Sequence, residues 1–275
     1  MGPAHAISGA GAAVLAIGLL FWFGSSLFGI LFGASISLIA LFVAVATGSA
    51  LVPDLDNSRS TVRSSLGFVG VAGSAVFRST SRIIQTVVRT KRDDSTPDPH
   101  RGFWHTIVGA LLLGFLAWLA TLPTTEIPIA GGIELGDALK FVITATMIHL
   151  CLAGVAKKSV KKLKDIPIVG EIAAFIVSII VTGALLFISP DEPSIWLPVA
   201  ISFGCIMHIL GDALTTAGVP IWFPLTGFVK GKFWWTTRFA KFKADNEDLN
   251  QTIYILSIAC MLAGIGLMIA RLVIG

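Results

Sequence analysis

Long runs of apolar residues broken by short polar stretches set the pattern of this chain. Residues 6–47 contain no charged side chain, and crossing ~30 Å of hydrocarbon takes about 20 mostly apolar residues. That length predicts two spans turning near Gly24-Ser25-Ser26. Further apolar runs at 103–122, 138–156, 168–188, 195–214 and 252–271 predict five more. Inside hydrocarbon a chain must satisfy its own backbone hydrogen bonds, so such runs are helices. The expected fold is an all-α polytopic membrane protein of about seven transmembrane helices, with 1–275 as one membrane-embedded domain.

Composition supports this reading. Hydrophobic residues make up 55% of the chain and charged residues 13%, against about 25% charged in a soluble domain. A soluble globular enzyme is therefore excluded, and nothing in the chain suggests a nucleic-acid partner. Cys151, Cys205 and Cys260 stand in separate apolar runs without a CxxC pair, which reads as packing rather than a disulfide framework. The N-terminus lacks a basic region and the first charged side chain is Asp54, so no cleavable signal peptide is expected. No internal repeat stands out.

The distribution of charge sets an orientation. Segments 48–101, 157–167 and 218–250 hold eight, five and five basic residues. Segments 121–137 and 189–194 hold none and carry Glu126, Glu134, Asp137, Asp191 and Glu192. With seven spans, every basic connection falls on one side, predicting a cytoplasmic N-terminus in a cell inner membrane. Arg271 fits this alternation poorly. Residues 57–100 form a cytoplasmic or interfacial basic segment, and 218–250 a cytoplasmic basic loop. Within 66–92, Arg78, Arg82 and Arg89 fall within roughly 40° on a helix. One basic stripe on an apolar helix is the mark of an amphipathic segment lying in the headgroup plane; the plainer alternative is an ordinary basic loop.

This topology places the unusual polar residues. His5 precedes the first span, Asp54 and Asp56 follow the second, and His100 and His105 open the third. His149 lies near the cytoplasmic end of the fourth, and His208 and Asp212 close the sixth. All five histidines thus gather at one membrane boundary, beside three aspartates. His208 and Asp212, four apart, project within about 40° of each other on a helix. Asp54 and Asp56, two apart after Pro53, face the same way if the segment is extended. His100 and His105 are five apart, roughly 140° around a helix. His100 is therefore expected in a loop, turned back by Gly102, and His105 on the helix. Imidazole with carboxylate suits zinc, and carboxylate-rich surroundings also admit manganese or iron. Singly, each residue has an ordinary reading: a helix-end histidine, a DLD turn, a polar bridge between helices. Ionisable residues in a membrane domain are costly, and their joint location favours a shared site.

The ordered landmarks His5 with Gly9, Pro53-Asp54-x-Asp56, His100-Arg101-Gly102-x-x-His105 and HILGDALTTAGV from His208 to Val219 resemble the YdjM family of inner-membrane proteins. The resemblance covers roughly residues 1–225. It implies metal-dependent hydrolase chemistry, distantly similar to zinc-dependent phospholipase C, and hence a phosphoester substrate. The chain departs from the family pattern at Asn57, where a histidine is usual. It departs again at Trp104 and Thr106, where threonine and serine are usual.

Together these readings predict a metal hydrolase opening at the cytoplasmic membrane surface. His5, Asp54, His100, His105, His208 and Asp212 are the expected ligands of a divalent metal, with His149 a further candidate. Asp56 is expected to orient a water or accept its proton. Arg101 either clamps an anionic group or anchors a span end. Thr215 and Thr216 are candidate supporting donors. Expected partners are membrane lipids and an anionic amphiphilic or phosphoester substrate. PIWFPLTGF and the following KGKFWW favour seating at the membrane surface. Two rival readings are a transporter with a polar His/Asp site and a membrane scaffold without activity.

Overall fold

The computed structural model describes residues 2–274 apart from 34, 94–98, 123–127, 131–132, 160–166, 189–194, 241 and 244–245. Eleven α-helices are described: α1 Gly2–Trp22, α2 Ser26–Phe32, α3 Ile36–Ser49, α4 Thr61–Ser65, α5 Gly67–Val88, α6 Ile107–Ala120, α7 Leu135–Ser159, α8 Pro167–Ile188, α9 Trp196–Ala213, α10 Leu225–Lys230 and α11 Glu247–Ile274. A short antiparallel pair, β1 Pro128–Ala130 and β2 Ile133–Glu134, precedes α7. The chain is an all-α polytopic membrane protein. Among the described residues, six helices are long and apolar enough to cross a bilayer: α1, α3 with its continuation to Asp56, α7, α8, α9 and α11.

Two predicted spans differ in detail. The turn at Gly24 leads into the seven-residue α2 rather than directly into a second span, which begins only at Ile36. Gly24 and Gly33 take left-handed φ values of 58° and 53°, which end a helix cheaply because they carry no Cβ. The hydroxyls of Ser25 and Ser35 then accept from the backbone N–H of Leu27 and Leu38, starting α2 and α3. The third predicted span is shorter than expected. Its helix runs 14 residues, Ile107–Ala120, about 21 Å at 1.5 Å per residue.

The helices differ sharply in their surroundings. α3 and α9 are the most buried spans, while α8 and α11 are the least and turn apolar side chains such as Phe175, Ile180, Leu256 and Leu262 outward. Lipid is as apolar as leucine, so close backbone approach at small residues does the packing. A methyl at Gly204 of α9 would come 2.2 Å from the Ala46 carbonyl oxygen of α3. Gly11 and Gly18 of α1 meet Ser257 and Gly264 of α11 in the same way and in the same order, so these two helices run parallel. The starts of α1, α6 and α11 and the ends of α3, α7 and α9 share one end of the domain. Arg271 lies at the opposite end beside Gly24, and Lys140 in the first turns of α7 is a second basic residue there. The acidic connection 189–194, Glu126 and Lys161, Lys162 and Lys164 lie outside the described residues.

The amphipathic segment is a helix, α5, and it has three faces. Gly70, Ser74, Ser81 and Gln85 are buried and fall within about 60° of one another at 100° per residue. Val69, Val76, Ile83 and Val87 form an exposed apolar stripe. Arg78 and Arg82 form an exposed basic stripe, which Arg89 continues as the helix cap. α5 is fastened by Trp104, whose ring stacks on Phe77 at 4.4 Å and whose Nε1 donates to the Phe77 carbonyl and the Thr80 hydroxyl.

Candidate metal centre

Four segments bring polar side chains to one point at the basic end of the helices. His5 comes from the first turns of α1. Gly211 of α9 makes room for its ring: a Cβ there would lie 2.9 Å from His5 Nδ1. His208 and Asp212 share a face of α9, with His208 Nε2 3.7 Å from Asp212 Oδ2.

Asp54 and Asp56 sit in a 3-10 turn, Val52–Asp56, not in an extended segment. Pro53 favours such a start, and the backbone N–H groups of Asp54 and Asn57 donate back to Leu51 and Asp54. At 3.0 residues per turn, side chains two apart diverge by roughly 120°. The two carboxylates therefore do not face the same way, which corrects the sequence expectation. Asp54 Oδ1 lies 3.7 Å from both His208 Nε2 and His100 Nε2, and 3.9 Å from His105 Nε2. Asp56 stands behind His100, accepting from its Nδ1 at 2.6 Å.

The histidines of the HRGFWH stretch occupy two successive 3-10 turns, Pro99–Arg101 and Phe103–His105. His105 is thus not on the helix, as the sequence suggested. Thr106 takes an extended conformation and its hydroxyl accepts from Gly109 N–H, so the helix starts one residue after it. The doubled turn leaves the two rings edge to face, 5.4 Å apart.

Hydrogen bonding fixes which ring atoms face inward. His208 Nδ1 lies 2.8 Å from the Ala50 carbonyl. A carbonyl only accepts, so Nδ1 carries the proton and Nε2 of the neutral ring presents a lone pair. His100 Nδ1 donates to Asp56, and its Nε2 likewise faces inward, 3.2 Å from Asn57 Nδ2. His105 Nε2 is 3.3 Å from His208 Nε2 and 3.6 Å from Asp212 Oδ2. His5 Nε2 is 3.4 Å from Asp212 Oδ1. His5 Nε2, Asp212 Oδ2 and Asp56 Oδ2 are buried without a hydrogen-bond partner.

Arg101 joins the cluster. Its Nη1 donates to the Thr215 hydroxyl at 2.8 Å and the Gly218 carbonyl at 3.1 Å. Its Nη2 reaches within 3.6 Å of Asp212 Oδ1. Thr215 in turn donates to the Asp212 carbonyl. Thr216, by contrast, pairs through its backbone with Phe242. His105 and His208 are fully buried, whereas the side chains of Asp54, Arg101 and His100 keep 17%, 16% and 26% of their exposure. Those three form the rim open to water.

The residues fit a divalent cation. Three carboxylates against one guanidinium leave two negative charges when the imidazoles are neutral, and isolated buried charge is costly. His5, His208 and Asp212 form one group whose ligand atoms lie within 4.8 Å of one another; Asp54, His100 and His105 form a second. Asp54 beside His208 and Asp212 beside His105 join the groups. His149 is placed elsewhere: its Nε2 donates to the Ser65 carbonyl at 3.0 Å, and its ring packs against Phe175. Sequence reasoning missed the Ala50 and Gly218 carbonyls, because a backbone acceptor leaves no mark in the residue pattern. It also missed Gly211, whose role is to be absent.

No curated protein and no solved structure matches this chain. A family profile does match, over residues 1–161, which include His5, Asp54, Asp56, His100, Arg101 and His105. The chain is therefore a multi-pass member of the YdjM inner membrane protein family.

Proposed function

We propose that the protein is a membrane-bound metal-dependent hydrolase that cleaves a phosphoester, in a phospholipid or lipid-linked substrate, at the cytoplasmic boundary of the inner membrane. The observation that carries this reading is the meeting of inward-facing imidazole nitrogens and carboxylate oxygens from four segments, with two surplus negative charges. His5, Asp54, His100, His105, His208 and Asp212 would hold the metal. Zinc suits this donor set, with manganese or iron as alternatives. What such a cation supplies when bound is Lewis acidity, bringing the pKa of a coordinated water from about 15.7 toward about 7.

The chain's own residues supply the rest. Asp56 holds the His100 ring through Nδ1, so that its Nε2 faces inward, an orienting role typical of carboxylates behind histidine ligands. The Ala50 carbonyl does the same for His208. Asp54, on the accessible rim, is then better placed than Asp56 to receive a proton from water. Arg101, steadied by Thr215 and Gly218, offers a fixed positive charge beside Asp212 where an anionic group can dock. The cytoplasmic side follows from the basic segments at this end.

Metal analysis of purified protein tests the reading. Stoichiometric metal is expected in wild type and absent from His208→Ala and Asp212→Ala. Wild type that stays metal-free after supplementation with zinc and manganese overturns it. Hydrolysis of phosphodiester and phospholipid panels then reads the activity directly.

A further inference from the structure

The cluster has a second approach besides its watery rim. A groove of about 230 Å³ runs between α1, α9 and α11, walled by Ala4, Ser8, Met207, Leu210, Leu214 and Ile253. Its lining is almost wholly apolar, and all three helices are long and apolar enough to cross a bilayer, which suits the groove to an apolar chain at the edge of the hydrocarbon layer. His5 and Gly211 also line it. The imidazole is thus a partition, with the groove against the ring and Asp212 Oδ1 3.4 Å from Nε2.

The end nearest the membrane surface is basic. Phe239 lines the groove there, its backbone N–H donating to the Ala213 carbonyl. Arg238, next to it, is exposed and lies beside Gly218, whose carbonyl also holds Arg101. Lys243 is exposed one residue after Phe242, whose N–H donates to Leu214. Apolar walls below and three cations above match one kind of molecule. We infer that this groove seats an acyl chain of an anionic lipid and holds its headgroup beside Arg101, Arg238 and the His/Asp cluster. The inference rests on the hydrolase reading for its consequence, since it makes a bilayer lipid the substrate, but the groove's occupancy stands apart from turnover.

A second apolar groove, between α6 and α9, provides an internal control. It is larger, about 380 Å³, and is lined by residues such as Leu111, Phe115, Trp118, Val199 and Phe203. It touches no residue of the cluster.

The test uses full-length protein in vesicles containing phosphatidylglycerol with a photoreactive diazirine on one acyl chain. Cross-links are mapped by mass spectrometry. Wild type is expected to be labelled at Ala4–Ser8 and Met207–Leu214. Met207→Trp and Ser8→Phe, which fill the groove from two helices, should each lower that labelling about tenfold, the scale on which a hydrophobic pocket discriminates. Val199→Trp in the other groove should leave it unchanged, and unaltered metal content shows that the variants are folded. The filled variants should also lose turnover of the lipid while hydrolysing a short, soluble phosphodiester as wild type does. Groove labelling that survives both substitutions overturns the inference. Labelling that follows the expected pattern, with no hydrolysis of any substrate, supports the groove and overturns the hydrolase reading instead.

Discussion

The ends of α7 and α9 make an instructive pair. Both helices carry one histidine near the basic end of the domain, and both side chains are buried. His149 on α7 gives its Nε2 proton to the Ser65 carbonyl, and no carboxylate is among its described contacts. His208 on α9 gives its Nδ1 proton to the Ala50 carbonyl, which turns Nε2 toward Asp54, His105 and Asp212. One carbonyl contact ties a ring down; the other aims it. The difference lies not in the histidine but in what other segments bring to its second nitrogen.

The most direct way to break this comparison is to empty both sites. Asp212→Ala removes the carboxylate shared by His5, His105, His208 and Arg101, and should weaken metal binding by more than about 100-fold. His149→Ala should leave metal content untouched. Equal metal loss in both variants, measured by elemental analysis, would erase the distinction.

A smaller effect tests how rings are aimed. Asp56→Ala should weaken metal binding by about 10- to 100-fold, the usual range for a carboxylate behind a histidine ligand. Asp56→Asn, which keeps an oxygen acceptor for His100 Nδ1, should recover part of that loss. Identical affinities for the two variants in a metal titration would show that Asp56 acts by charge alone.

Arg101 gives a subtler contrast between binding the metal and binding the substrate. Thr215→Val removes one of its hydrogen bonds, worth about 1 kcal/mol. Turnover of an anionic substrate should fall roughly fivefold, since about 1.4 kcal/mol is tenfold, while metal content holds. The smallest change in activity is expected at α7. His149→Phe should lower unfolding stability by about 1–2 kcal/mol through the orphaned Ser65 carbonyl, with activity preserved in a thermal melt paired with an assay.

Much of the fold is legible in the residue pattern. Apolar length alone locates α1, α3, α7, α8, α9 and α11, because hydrocarbon tolerates little except an apolar helix. The HxxxD face of α9 is equally legible, since four residues on a helix return nearly to the same azimuth. The local turns were not. Asp54 and Asp56 diverge because backbone hydrogen bonds around Pro53 wind the chain into a 3-10 turn, and His105 falls short of its helix because Thr106 caps the next residue. Such turns depend on one or two hydrogen bonds, too little to shape a periodic pattern.

The sequence by itself determined that this chain spans a membrane several times and that its histidines lie near one boundary with Asp54, Asp56 and Asp212. Hydrophobic length and charge asymmetry are properties of single segments, so no tertiary contact is needed to read them. Only the tertiary structure decided which of those residues meet, and through which atoms. The pairing of His208 with Asp212 is written in the sequence, but its approach to Asp54 and His5 is not. Helix packing at small residues such as Gly204 and Gly211 set α9 against α3 and α1, and that approach, rather than residue type, brought His208 to Asp54 and His5.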